Sequence, residues 1–214
     1  MFFITFEGLD GCGKSLQIEL LKDKLIETGY ETITTAEPGG TRLGNKIREI
    51  LRDSENDMNA TTEFFLFSAS RSELLEKVIK KHIQEEILEG KNIVLISDRY
   101  LDSLVAYQGF GRGLPLLFVE NISLSFCFDF MPDLTFWIDT PPETCMRRME
   151  KRRGYLERIE KMPPAFFESV RRGYSEICRR NPGRVCRIEG NNEVFKIHEE
   201  IYKTVLERLK KREE

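Results

Sequence analysis

Eight residues, GLDGCGKS (Gly8–Ser15), constrain this chain more than any others. They match G-x-x-x-x-G-K-[ST] without a gap. An apolar run, Phe2–Phe6, leads in. A helical period of Leu16, Leu20, Leu21 and Leu25 leads out, and Gly29 stops it. A strand that turns into a helix through glycines makes an anion cradle. The glycines let successive N–H groups face one ligand, and the helix adds its positive end. Gly8, Leu9, Asp10, Gly11, Cys12, Gly13, Lys14 and Ser15 are therefore the expected ATP-binding set. Lys14 reaches the outer phosphates, and the Ser15 hydroxyl can ligate Mg²⁺. Cys12 reads as a small filler in a tight turn. Asp10 does not suit the cradle, because a carboxylate beside a triphosphate repels it.

Further strands read at Glu31–Thr35, Asn92–Ser97, Asp133–Ile138 and Val185–Ile188, with helices between them. NIVLIS (Asn92–Ser97) is continuously apolar, as strands buried between two helix layers are. The pattern predicts one domain over 1–214, a three-layer α/β/α sandwich with a parallel sheet of about five strands. Residues 147–161 lack a strong apolar period and read as a mobile, arginine-rich lid.

Charge narrows the function. Residues 146–187 hold 13 Lys and Arg against five Asp and Glu, while the whole chain carries −3. A basic segment in an acidic protein suggests a local anion site, whereas a nucleic-acid binder tends to be basic over a whole domain. No apolar run approaches the ~20 residues of a membrane span. Five cysteines, with no C-x-x-C pair, argue for reduced thiols in a cytoplasm. A guanine-specific switch would need N-K-x-D, which the chain lacks.

Asp98 and Arg99 close the NIVLIS strand. Ligand crevices in parallel sheets lie at the carboxyl ends of strands. An acid there suits a metal-bound water, and an arginine suits a phosphate oxygen.

Several motifs together resemble the thymidylate kinase family over nearly the whole chain. FEGLDGCGKSLQ resembles its phosphate loop. EPGGT (Glu37–Thr41) with Ile47-Arg48, and Phe67-Ser-Ala-Ser-Arg71, resemble its acceptor-binding segments. Asp98-Arg99-Tyr100-x-x-Ser103-x-x-Ala106-Tyr107-Gln108-Gly109 resembles its signature. PDLTFWID, PPE and RRGYLERIE (Arg152–Glu160) resemble the strand and arginine lid next in the family's order. The resemblance implies a P-loop kinase fold that passes the γ-phosphate of ATP to dTMP with Mg²⁺. It implies a cytoplasmic homodimer that acts on neither nucleic acid nor membrane.

The roles so implied are specific. Glu37, Pro38, Ser103 and Leu104 line the acceptor site. Phe67 stacks on thymine and Arg71 bonds its carbonyl edge. Arg48 and Arg99 hold the acceptor phosphate. Tyr107 crowds the sugar 2′ position, with Gln108 beside it. Asp10 meets the acceptor 3′-hydroxyl and, with Asp98, the water shell of the metal. Lys14, Arg99, Arg152, Arg153 and Arg158 act on the transferring group. Ala36 and Leu104 stand where the family commonly has an arginine and a polar residue. Gly11 stands where one branch has a catalytic arginine, so this chain resembles the branch that supplies its arginines from the lid. Another nucleoside monophosphate is the alternative acceptor.

Overall fold

β1 (Phe2–Glu7) is buried at every position, as a strand with neighbours on both edges and helices on both faces must be. It pairs in parallel with β3 (Ile93–Asp98) and with β4 (Leu134–Asp139). β2 (Glu31–Ala36) and β5 (Val185–Glu189) close the edges, giving the order β2-β3-β1-β4-β5, all parallel. The computed structural model describes residues 1–127, 130–153 and 157–213, without the side chains of residues 126, 152, 153 and 213. Two threonines inside the sheet, Thr5 and Thr135, satisfy each other at 2.7 Å across β1 and β4.

Helices cover both faces. They are α1 (Lys14–Glu27), α2 (Arg42–Arg52), α3 (Ala60–Leu74), α4 (Lys80–Glu89), α5 (Leu101–Leu104), α6 (Leu116–Cys127), α7 (Pro142–Arg153), α8 (Pro164–Arg180) and α9 (Val194–Glu213). Two π-helical stretches join neighbours: Leu75–Ile79 links α3 to α4, and Val105–Gly111 extends α5. α3, the first π-helical stretch and α4 thus form one path with a widened turn inside it. α5, its π-helical extension and α6 were not anticipated. Residues 147–153 of the expected lid continue α7 as helix. Among the described residues no helix is long and apolar enough to cross a membrane.

Two close approaches set the site. At Gly173 in α8, an added Cβ would meet the Ala106 Cα at 3.0 Å and Phe110 at 2.9 Å. That glycine lets α8 lie against the π-helical stretch and brings Tyr174 to the strand ends. At Gly8 (φ +137°), a Cβ would sit 2.7 Å from the Ile138 carbonyl. The loop therefore lies directly on β4 and has no room for a side chain.

Gly8→Ala combines that clash with a backbone conformation closed to alanine. It is expected to destabilise the fold by about 3 kcal/mol, a drop in Tm of about 10 °C. Gly183→Ala, with nothing within 4 Å of the new Cβ, is the control and should leave Tm within about 2 °C. Thermal unfolding of both variants checks the contrast.

Candidate active site

The register of β1 and β3 places Phe6 opposite Asp98. The two strands end level, so the loop after β1 and the turn after β3 face one crevice. Gly13 (φ 108°) precedes α1 with no side-chain cap, leaving the first N–H groups of the helix open to an anion. Lys14 is buried and rests on its own loop, its Nζ 3.2 Å from the Gly8 carbonyl and 3.0 Å from that of Leu9. Leu9 and Cys12 turn into the core, so they offer the crevice backbone only. Ser15 Oγ donates to Asp98 Oδ2 at 3.3 Å. The other Asp98 oxygen is buried with no partner among the described residues.

Two chambers open from this crevice. The first is lined by Asp10, Gly11, Gly13, Lys14, Ser15 and Arg148, among others. The second is lined by Pro38, Phe67, Arg71, Ser103, Leu104 and Tyr107, among others. Asp10, Glu37, Arg48, Arg99 and Glu160 line both. A chain of polar residues thus joins a phosphate cradle to a chamber walled by an aromatic ring and a leucine.

Arg99 stands at the junction with its backbone in the left-handed region (φ 72°). That conformation costs a non-glycine residue about 1–3 kcal/mol, so its surroundings must hold it. Its N–H bonds the Phe6 carbonyl at 2.9 Å, and the Ser97 hydroxyl bonds its carbonyl at 2.7 Å. Nη2 reaches Asp10 at 2.9 Å and the Tyr107 hydroxyl at 3.2 Å. Nη1 reaches the Ser103 and Tyr174 hydroxyls, each at 3.1 Å. Desolvation disfavours ionised Asp10, but Arg99, Lys14 and Arg48 outweigh it and hold its pKa at about 2. Behind this cluster Glu7 is fully buried. Burial, then Asp102, push its carboxyl up to about 7, against the pull of Arg99 and of bonds from Ser103 and the Tyr100 N–H.

The second chamber rests on two buried ion pairs. Arg71 grips Glu37 through Nε and Nη2, at 2.5–2.9 Å. Burial alone would depress Arg71, and Glu37 overrides it. Arg71 Nη1 has no partner among the described residues. Glu63, at the start of α3, accepts from Gln108 at 3.0 Å, from Arg112 at 2.7 and 3.0 Å, and from Arg158 at 2.6 Å. Burial would raise the Glu63 carboxyl, and these partners hold it below the usual range. Arg48 donates to the Pro38 carbonyl at 2.8 Å.

The structure gathers Asp10, Lys14, Ser15, Glu37, Pro38, Arg48, Phe67, Arg71, Asp98, Arg99, Ser103, Leu104, Tyr107 and Gln108 around the two chambers. It does not bring Arg158 to the phosphate loop. That side chain sits on Glu63 and donates through Nε to the Leu51 carbonyl at 3.0 Å. The side chains of Arg152 and Arg153 lie outside the described residues. Sequence reasoning missed Arg148, whose Nη1 is 3.4 Å from the Gly11 carbonyl and 3.3 Å from that of Cys12. It also missed Glu7, Glu63 and Tyr174, single residues whose meaning depends on chain folded far away. An acid closing a buried, largely apolar strand, as Glu7 does, was the one signal available.

Comparisons with known proteins give the family and the fold. The thymidylate kinase family profile matches residues 6–201. The thymidylate kinase of Thermoanaerobacter sp. (strain X514) is 39% identical over 203 residues, covering 95% of this chain and 96% of that protein. That of Kosmotoga olearia is 41% identical over 209 residues, covering 98% and 97%. The crystal structure of thymidylate kinase from Ehrlichia chaffeensis superposes with a TM-score of 0.74 at 32% identity, covering 96% of this chain and 98% of that one. A phosphate cradle joined to an aromatic-walled chamber, with a profile match and relatives of this extent, leaves one conclusion: the chain belongs to the thymidylate kinase family.

Proposed function

We propose that the protein transfers the γ-phosphoryl group of ATP to dTMP, giving dTDP and ADP. The observation that carries this is the pair of chambers sharing Asp10, Arg48 and Arg99. ATP enters the cradle of residues 8–15. dTMP enters the second chamber, its ring against Phe67 and a carbonyl on the unpartnered Nη1 of Arg71. Its phosphate lies on Arg48 and Arg99, and Tyr107 borders its sugar.

The acceptor phosphate has a second pKa near 6, so it is largely dianionic at neutral pH. It needs no general base. The protein's task is to hold two anions in line and to stabilise the charge that spreads between them. Lys14, Arg48 and Arg99 supply fixed positive charge for this. Lys14 exchanges its bonds to the Gly8 and Leu9 carbonyls for phosphate oxygens. Asp10, kept ionised, orients the acceptor through its 3′-hydroxyl.

The donor set suits Mg²⁺. The Ser15 hydroxyl and the unpartnered Asp98 oxygen are hard ligands side by side. The ion would be held directly by Ser15, and through water by Asp98 and Asp10. When bound it neutralises phosphate charge. The five unpaired cysteines suit a reducing cytoplasm. Most arginines of the basic segment have acids of their own, as Arg171 and Arg187 have Asp139 and Arg184 has Asp102. That argues against a nucleic-acid surface.

The protein acts as a homodimer through α3 and α6. Phe65 is half exposed against Phe118, and Leu117 and Leu124 stand exposed on α6.

Lid closure moves Arg158 from Glu63 towards the transferring group, together with Arg152 and Arg153. An arginine so placed is worth about 10³–10⁵ in rate in related chemistry.

Coupled assay of ADP release should show kcat/KM for dTMP at least about tenfold above dUMP, CMP and AMP. Equal turnover of the four would refute the acceptor. Arg158→Ala should lower kcat by about 10²-fold or more with dTMP KM little changed. An unchanged kcat with a raised KM would confine Arg158 to the chamber wall. Leu117→Glu with Leu124→Glu should convert a dimer to a monomer in light scattering.

A further inference from the structure

The phosphoryl transfer proposed above makes no use of Glu7, yet no carboxylate in the crevice is more enclosed. It accepts three hydrogen bonds: from the Tyr100 N–H at 2.8 Å, from Ser103 Oγ at 2.5 Å and from the Tyr174 hydroxyl at 2.9 Å. Each of these partners touches Arg99 or adjoins it. Tyr100 is next to Arg99 in the chain, so its tethered N–H fixes the peptide that leaves the left-handed residue. The two hydroxyls face Arg99 Nη1 at 3.1 Å each.

The two hydroxyls also lie 3.0 Å from each other, and the charge of Glu7 decides where their protons point. A hydroxyl carries one proton. When both hydroxyls donate to an ionised carboxylate, only lone pairs remain for the guanidinium, which can only donate. The negative charge of Glu7 therefore turns Ser103 and Tyr174 into paired acceptors for Nη1. The opposite edge, Nη2, is left towards Asp10 and the chambers. A neutral carboxyl or an amide at position 7 removes the charge and donates to one of these hydroxyls, which then has a single lone pair left to divide between Nη1 and the other hydroxyl, 3.0 Å away.

We propose that Glu7 is a positioning residue for Arg99: its charge, relayed through Ser103 and Tyr174, fixes the guanidinium that receives the acceptor phosphate. The inference rests on the reading of Arg99 as a phosphate-holding residue. The charged and titratable groups around Glu7 are Arg99 on its own side of the crevice, Asp102 on α5 with its partner Arg184 from the turn before β5, and Tyr174 on α8. Burial raises the Glu7 carboxyl to about 7, so it carries more of its charge at pH 8 than at pH 6.

Glu7→Gln keeps the shape and removes the charge. Steady-state kinetics should be run at pH 8 and pH 6, with thymidine as a competitive inhibitor that fills the chamber without a phosphate. At pH 8 the variant should raise KM for dTMP about tenfold or more, with the thymidine inhibition constant and KM for ATP within about twofold of wild type. At pH 6 the gap in dTMP KM should shrink to about threefold or less, since wild-type Glu7 then carries less of its charge; the acceptor's own titration cancels in the ratio. Parallel rises for dTMP and thymidine, an unchanged dTMP KM, or a gap equal at both pH values would each overturn the proposal. Should Glu7→Gln fail to fold, Tyr174→Phe removes one relay and must show the same split between dTMP and thymidine, at about threefold; loss of both together overturns it. A wild-type enzyme inactive on dTMP would overturn the acceptor reading and this inference with it. An active wild type with an unaltered variant overturns the inference alone.

Discussion

The parallel pairing of β1 with β3 is the constraint on which the site depends. It sets Phe6 opposite Asp98, so both strands release the chain at one level. β1 runs into a glycine-rich loop, and β3 runs into an arginine in a left-handed turn. A slip of two residues along either strand would part Ser15 from Asp98 and Arg99 from Asp10. The buried, largely apolar faces of β1, β3 and β4 resist such a slip, because buried strands in the middle of a sheet have fixed neighbours on every side.

Buried charge shapes the second chamber. Glu37 with Arg71, and Glu63 with Arg112 and Arg158, are carboxylates out of water paired with arginines; burial raises Glu37 in spite of Arg71, while its partners hold Glu63 below the usual range. Removing one partner of such a pair costs about 3–5 kcal/mol, whereas a well-packed apolar replacement can be neutral. Stability alone does not require these groups. They fix a wall in one arrangement, and they leave Nη1 of Arg71 without a partner among the described residues.

The sheet was legible because its strands are short apolar runs between turn signals, and β1 to β5 fall within a residue or two of their expected limits. The phosphate cradle was legible because it is contiguous. The stretch 101–111 was not, because a π-helical turn shows no 3.6-residue period, and α6 is apolar on most faces and presents no clean stripe. Phe67 shows the limit of pattern alone: an aromatic on a helix reads as core, and only the chamber beside it distinguishes a wall from a filling. Arg158 was placed with the phosphates by its neighbours in sequence, and the structure sets it on Glu63. The signal for that contact lies 95 residues away in α3, beyond any local reading.

Glu63 has a consequence for how the two substrates communicate. One carboxylate holds Gln108, which lines the second chamber, together with Arg112 and Arg158. Any equilibrium that lifts Arg158 from Glu63 also changes the charge balance around Gln108 and Arg112. By thermodynamic reciprocity, an acceptor that favours one position of Arg158 is itself bound more tightly in that position, by the same factor. A single buried acid would thereby set one coupling factor for both substrates, whichever arrives first.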